Sequence, residues 1–197
     1  MAAATHAPSR SEAHADPTAH AWERVRINRL GLWLFLLSDA ALFGLFAASR
    51  FYLSGTAIDP HLNQLLGLGI TSLLLLSSLT AYRAETAFAH GNTAQGRTML
   101  LATIVMGLLF AGGVGFEWAT AEFGVAELYG TAFFSMTGMH AFHVMTGIIF
   151  LIVIWARSGD GHFSGGPKVW PVTATILYWH FVDVVWVVFY PTLYLLK

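Results

Sequence analysis

Cysteine is absent from the chain. Without it there is no disulfide framework, no Cys-ligated zinc, no iron–sulfur cluster, no thiolate copper centre and no C-x-x-C-H haem attachment. Charge is nearly as scarce: Asp, Glu, Lys and Arg make up 11% of the residues, against about 25% in an ordinary soluble domain. Ten basic and eleven acidic side chains balance to a net charge of −1, so no broad basic face exists for nucleic acid. What fills the place of charge is apolar bulk, 56% of the chain, with a mean hydropathy of +0.61. Water is not the main solvent of such a sequence. It reads as an all-α integral membrane protein.

Residues 1–29 differ from the rest. Met1 to Ala21 is built from Ala, His, Ser, Thr and Pro, with neither the basic start nor the apolar core of a secretory signal. Its composition cannot bury a core, so a disordered tail is expected. His6, His14 and His20 are spaced irregularly there, a poor fit to a metal site. From residue 30 to residue 197 a single transmembrane domain is expected. A spanning helix needs about 20 mostly apolar residues, and five stretches qualify: Leu30–Leu53, Leu62–Tyr82, Thr98–Trp118, Gly130–Trp155 and Val172–Leu195. The short gaps between them hold Gly, Pro and Asn. Arg10, Arg24, Arg26, Arg29, Arg83, Arg97, Arg157 and Lys168 fall on one side of this topology, and only Arg50 and Lys197 on the other. The positive-inside rule then places the N-terminus in the cytoplasm and the C-terminus outside, periplasmic in a bacterium. Gly107, Ala111 and Gly115, and likewise Ala40, Gly44 and Ala48, recur every four residues, as in helices that approach closely.

Ionisable groups at membrane depth are costly and need partners. Asp39 lies about 14 Å into the first span, with Leu36, Leu37, Ala40 and Phe43 around it in sequence and no charge partner nearby. It reads either as a proton-linked or subunit-contact carboxylate, or as a neutral acid bonded to a neighbouring helix. Glu117, at the outer end of the third span beside Trp118, suits a packing or capping role at the interface. His140 and His143 share one face of the fourth helix, and His180 and Asp183 repeat that spacing on the fifth. All four groups sit near mid-membrane, where they could meet as an inter-helix hydrogen-bond network or offer a His from each helix to one haem iron. No phosphate-binding glycine loop, H-E-x-x-H or G-x-S-x-G elbow occurs.

Three stretches resemble one known family. Tyr178-Trp-His-Phe-Val-Asp-Val-Val-Trp186 is similar to the last helix of subunit III of haem–copper terminal oxidases. Gly130 to Gly147, with its G-x-H-x-x-H core at His140 and His143, resembles the preceding helix. Leu34-Phe-Leu-Leu-Ser-Asp-Ala-Ala-Leu-Phe43 resembles the helix that holds the family's buried carboxylate, and Gly115-Phe-Glu117 its glutamate region. The likeness runs in order from about Leu30 to Leu195, and fits the five-helix bacterial form.

The resemblance implies a non-catalytic subunit of a proton-pumping oxygen reductase in a bacterial inner membrane. Such a chain holds no redox centre: haems and copper belong to subunits I and II. It packs on subunit I, holds phospholipid and sustains proton uptake. Asp39 takes the place of the buried carboxylate, one methylene shorter than the glutamate many members have. His140, His143, His180 and Asp183 would form the inter-helix network, with Glu117 and Trp186 structural. Cytochrome c or quinol would deliver electrons at other subunits. Two further readings compete. A haem-b, quinone-linked membrane anchor would use His140 and His180 as ligands. A small proton-coupled transporter would need an inverted repeat, and none is visible.

Overall fold

A computed structural model of the protein describes residues 17–55, 64–163 and 165–195. Among these there are five long helices and no strand: α1 Pro17–Ser54, α2 Gln64–Ala89, α3 Thr93–Thr120, α4 Leu128–Arg157 and α5 Trp170–Tyr190. Two short 3-10 turns, Ser158–Asp160 and Gly166–Val169, connect α4 to α5, and a π-helical turn, Pro191–Leu195, follows α5. All five helices are long and apolar enough to cross a membrane, as the hydropathy pattern predicts.

The boundaries differ most at the start. Residues 17–29, expected to belong to the tail, form the first turns of α1. Pro17 opens the helix, where a missing N–H costs nothing. Ala21 and Val25, one turn apart, then face a cleft shared with Ile154, Phe163 and Pro171. This partial burial gives a polar-looking segment a reason to stay helical that composition alone conceals. At 38 residues, α1 is ~57 Å long and must project beyond the hydrocarbon. His20 lies on this exposed extension; His6 and His14 lie outside the described residues.

Local signals set the tightest connection. Gly91, with a φ of +77°, ends α2 in a conformation that other residues resist. Asn92 then caps α3 by accepting a hydrogen bond from the Gln95 backbone N–H at 3.1 Å. The resulting α2–α3 hairpin is clasped further in by the Thr80 and Thr103 hydroxyls, 2.8 Å apart.

The centre of the bundle is α5. Trp179 and Trp186, two turns apart, are both fully buried. A Cβ at Gly107 would come within 2.7 Å of the Trp179 ring, and one at Gly147 within 2.8 Å. The indole therefore occupies the space that the missing side chains of α3 and α4 leave. Of the Gly107–Ala111–Gly115 stripe only Gly107 works this way, since a Cβ at Gly115 would meet nothing within 4 Å. The Ala40–Gly44–Ala48 stripe is exposed.

Replacing Gly147 with Leu should force Trp179 out of place and destabilise the fold by about 1–3 kcal/mol, the usual cost of overpacking. Gly112→Leu, at a position with nothing within 4 Å, should leave stability nearly unchanged. Unfolding of the detergent-solubilised protein checks the pair.

Candidate functional site

The polar groups inside the bundle do not form one seam. They separate into contacts that each bridge a different pair of helices. Asp39 on α1 finds its partner on α4, where His143 Nε2 lies 3.1 Å from its Oδ2. The distance is that of an ion pair, although the geometry falls short of a directed hydrogen bond at Oδ2. His143 Nδ1 donates to the Met139 carbonyl at 2.8 Å. A neutral ring so bonded turns the lone pair of Nε2 toward the carboxylate. Phe43 seals the pair with its ring centroid 4.8 Å from that of His143.

His140, one turn away on α4, makes a different contact. It is fully buried, and its Nε2–H donates to the Val182 carbonyl on α5 at 3.1 Å. Trp186 packs against the ring at 4.8 Å and Phe110 edge-on at 5.6 Å. Trp186 in turn donates from Nε1 to Thr71 Oγ1 on α2 at 2.9 Å, and Trp179 does the same to Ser77 Oγ at 2.9 Å.

His180 and Asp183 meet through a residue of α2. The Ser78 hydroxyl donates to Asp183 Oδ2 and lies 2.9 Å from His180 Nδ1. One hydroxyl on α2 therefore bridges both α5 side chains. At the far end of the bundle Glu117, near the end of α3, is buried, 4% exposed. Its Oε2 accepts from the Tyr194 hydroxyl at 2.6 Å. Arg50 is buried at this end too, donating to the Gly55 carbonyl at 2.7 Å with its guanidinium 5.0 Å from the centre of the Tyr129 ring. Among the described residues, no three His, Asp or Glu side chains converge as a metal site.

Comparison with known proteins identifies the architecture. Residues 17–197 match the family described as cytochrome c oxidase subunit III. The chain belongs to that family. Relatives carrying the name cytochrome c oxidase subunit 3 include one from Thermostichus vulcanus, 32% identical over 200 residues, covering 94% of this chain and 96% of the relative. Another, from a Synechocystis strain, is 34% identical and covers 86% of this chain and 76% of its own. A third, from Marchantia polymorpha, is 37% identical, covering 84% and 67%.

Within this subunit III chain, sequence reasoning picked out the acids and imidazoles but not the hydroxyls that hold them. Ser78, Thr71, Ser77 and Tyr194 are the missed partners. Their signal was faint: small hydroxyls are cheap in membrane helices and often bond their own backbone, as Ser72 does to Leu68. Arg50, counted on the outer side of the topology, is buried with its guanidinium over the Tyr129 ring.

Ser78→Ala should strand the Asp183 carboxyl and the His180 imidazole together, costing about 1–3 kcal/mol. Ser72→Ala should be nearly silent. Thermal unfolding in detergent distinguishes the two.

Proposed function

We propose that the chain is the non-catalytic subunit III of a haem–copper terminal oxidase, carrying no redox centre and stabilising subunit I while sustaining proton uptake during oxygen reduction. The observation that carries this reading is the family match across the whole membrane domain, with Asp39, His140, His143, His180 and Asp183 all engaged in contacts between helices. Haems and copper sit in subunits I and II. The names of the relatives support cytochrome c as the electron source ahead of quinol. The cationic ends of the helices support a cytoplasmic N-terminus and an outer C-terminus in a bacterial inner membrane.

Asp39 and His143, 3.1 Å apart between α1 and α4, are the pair through which a proton-linked role would act. Phospholipid has a candidate place as well. Arg24, Arg157 and Lys168, with His162 and Trp170, line an open cavity of about 820 Å³ at the N-terminal end of α1. Three cations beside an indole at the expected headgroup depth suit a phosphate, with acyl chains running down the helices.

The test is co-purification through a C-terminal tag after gentle solubilisation, with a reduced-minus-oxidised spectrum of the complex and of the separated chain. Haem should appear in the complex, with a much larger His-rich membrane subunit, and be absent from the chain alone. In the same preparation Asp39→Asn should assemble with an unchanged spectrum but lose activity faster in sustained turnover. Haem that stays with the isolated chain would overturn the reading in favour of a haem-b anchor.

A further inference from the structure

Helix α1 is anchored along only part of its length. Its buried side chains are Leu36, Phe43 and Arg50, one heptad apart and so on a single row. Asp39 adds its contact to His143 between the first two. From Ala19 to Phe35 no side chain is buried, a stretch of about 25 Å. The most apolar window of α1 is 11% buried, against 33–50% in the other four helices. Gly31 stands just before the anchored row. A Cβ there would meet nothing within 4 Å, so packing does not call for glycine; its effect is on the backbone, which it leaves freer to bend.

The unanchored arm, residues 17–30, forms one wall of the 820 Å³ cavity. It contributes Arg24, while Arg157 at the end of α4 and Lys168 in the turn before α5 line the other side. The arm's apolar share of the lining is Ala21 and Val25, both half-buried. Two small side chains give it a weak hold. Like charges on the two walls oppose their approach while the cavity is empty. A phosphate between them reverses the sign, because each cation can then make a charge-assisted hydrogen bond to the same group.

We infer that residues 17–30 are a lid, hinged near Gly31, that closes over the cavity when a phosphate-bearing ligand bridges Arg24 to Arg157 and Lys168. The inference rests on the headgroup site proposed above and adds what occupancy does to the fold. A lipid headgroup and free phosphate share this chemistry, and the test separates them.

The chain has no cysteine, so two introduced ones carry spin labels without background. Glu23→Cys on the arm and His90→Cys on the α2–α3 turn, both at exposed positions, report the arm's distance by double electron–electron resonance in nanodiscs of the full chain. Phosphatidylglycerol should shift the distances to shorter values and narrow their spread, relative to a digalactosyl lipid without phosphate. Arg157→Gln with Lys168→Gln should abolish the shift, and Gly31→Ala should diminish it. The same shift from inorganic phosphate in galactolipid discs supports the lid with free phosphate as its ligand. Phosphorus assay of the lipid retained after detergent extraction reads the headgroup site separately. Retained phosphatidylglycerol with an unmoved arm, or a shift that survives the double substitution, would overturn the lid and leave the site standing. An unmoved arm with no phosphatidylglycerol retained would overturn both.

Discussion

Hydrocarbon offers no hydrogen bond, and the arrangement of this bundle follows from that single constraint. Each polar side chain placed at membrane depth must find a partner on another helix or on its own backbone. Asp39 reaches α4, His140 reaches the α5 backbone, and Trp179, Trp186, His180 and Asp183 reach hydroxyls on α2. The direction of each contact matters more than its individual strength. Apolar packing between membrane helices competes with equally apolar lipid, so these few polar contacts decide which helix lies beside which. Trp179 shows both terms in one residue: its ring fills the gap over Gly107 and Gly147 while its Nε1 is spent on Ser77.

The same distribution bears on function. A catalytic centre gathers its titratable groups where a substrate can meet them. Here the imidazoles and acids are dispersed among different pairs of helices, and aromatic rings pack against His140 and His143. Phe43 stands against His143 and Phe189 alike, and Phe189 against His140, so aromatic rings separate groups whose spacing on the helices invites a cluster. Such a body suits the work of a supporting subunit. Asp39 with His143 is the contact that ties α1 to α4.

Much of this was legible from residues alone. Five apolar runs predict five spanning helices, whereas the spacing of three that groups His140 with His143 does not tell that one contacts α5 and the other α1. Two things were hidden. Residues 17–29 look like tail because their composition is polar, yet Ala21 and Val25 gain enough cover from Ile154, Phe163 and Pro171 to continue α1. The partners of the acids were hidden for a different reason. Which helix faces which is not a periodic property, so a partner on α2 such as Ser78 carries no mark that distinguishes it from Ser72, which bonds its own backbone.

The claim on which the rest depends is that the buried acids and imidazoles act as pairwise contacts between helices. A double-mutant cycle at Asp39 and His143, with each replaced by Leu singly and together, measures it directly through the stability of the solubilised protein. A coupling of about 1–2 kcal/mol between the two positions is expected, comparable to other interhelical polar contacts in membranes. Strictly additive effects would contradict it, leaving α1 held to the bundle by apolar packing alone.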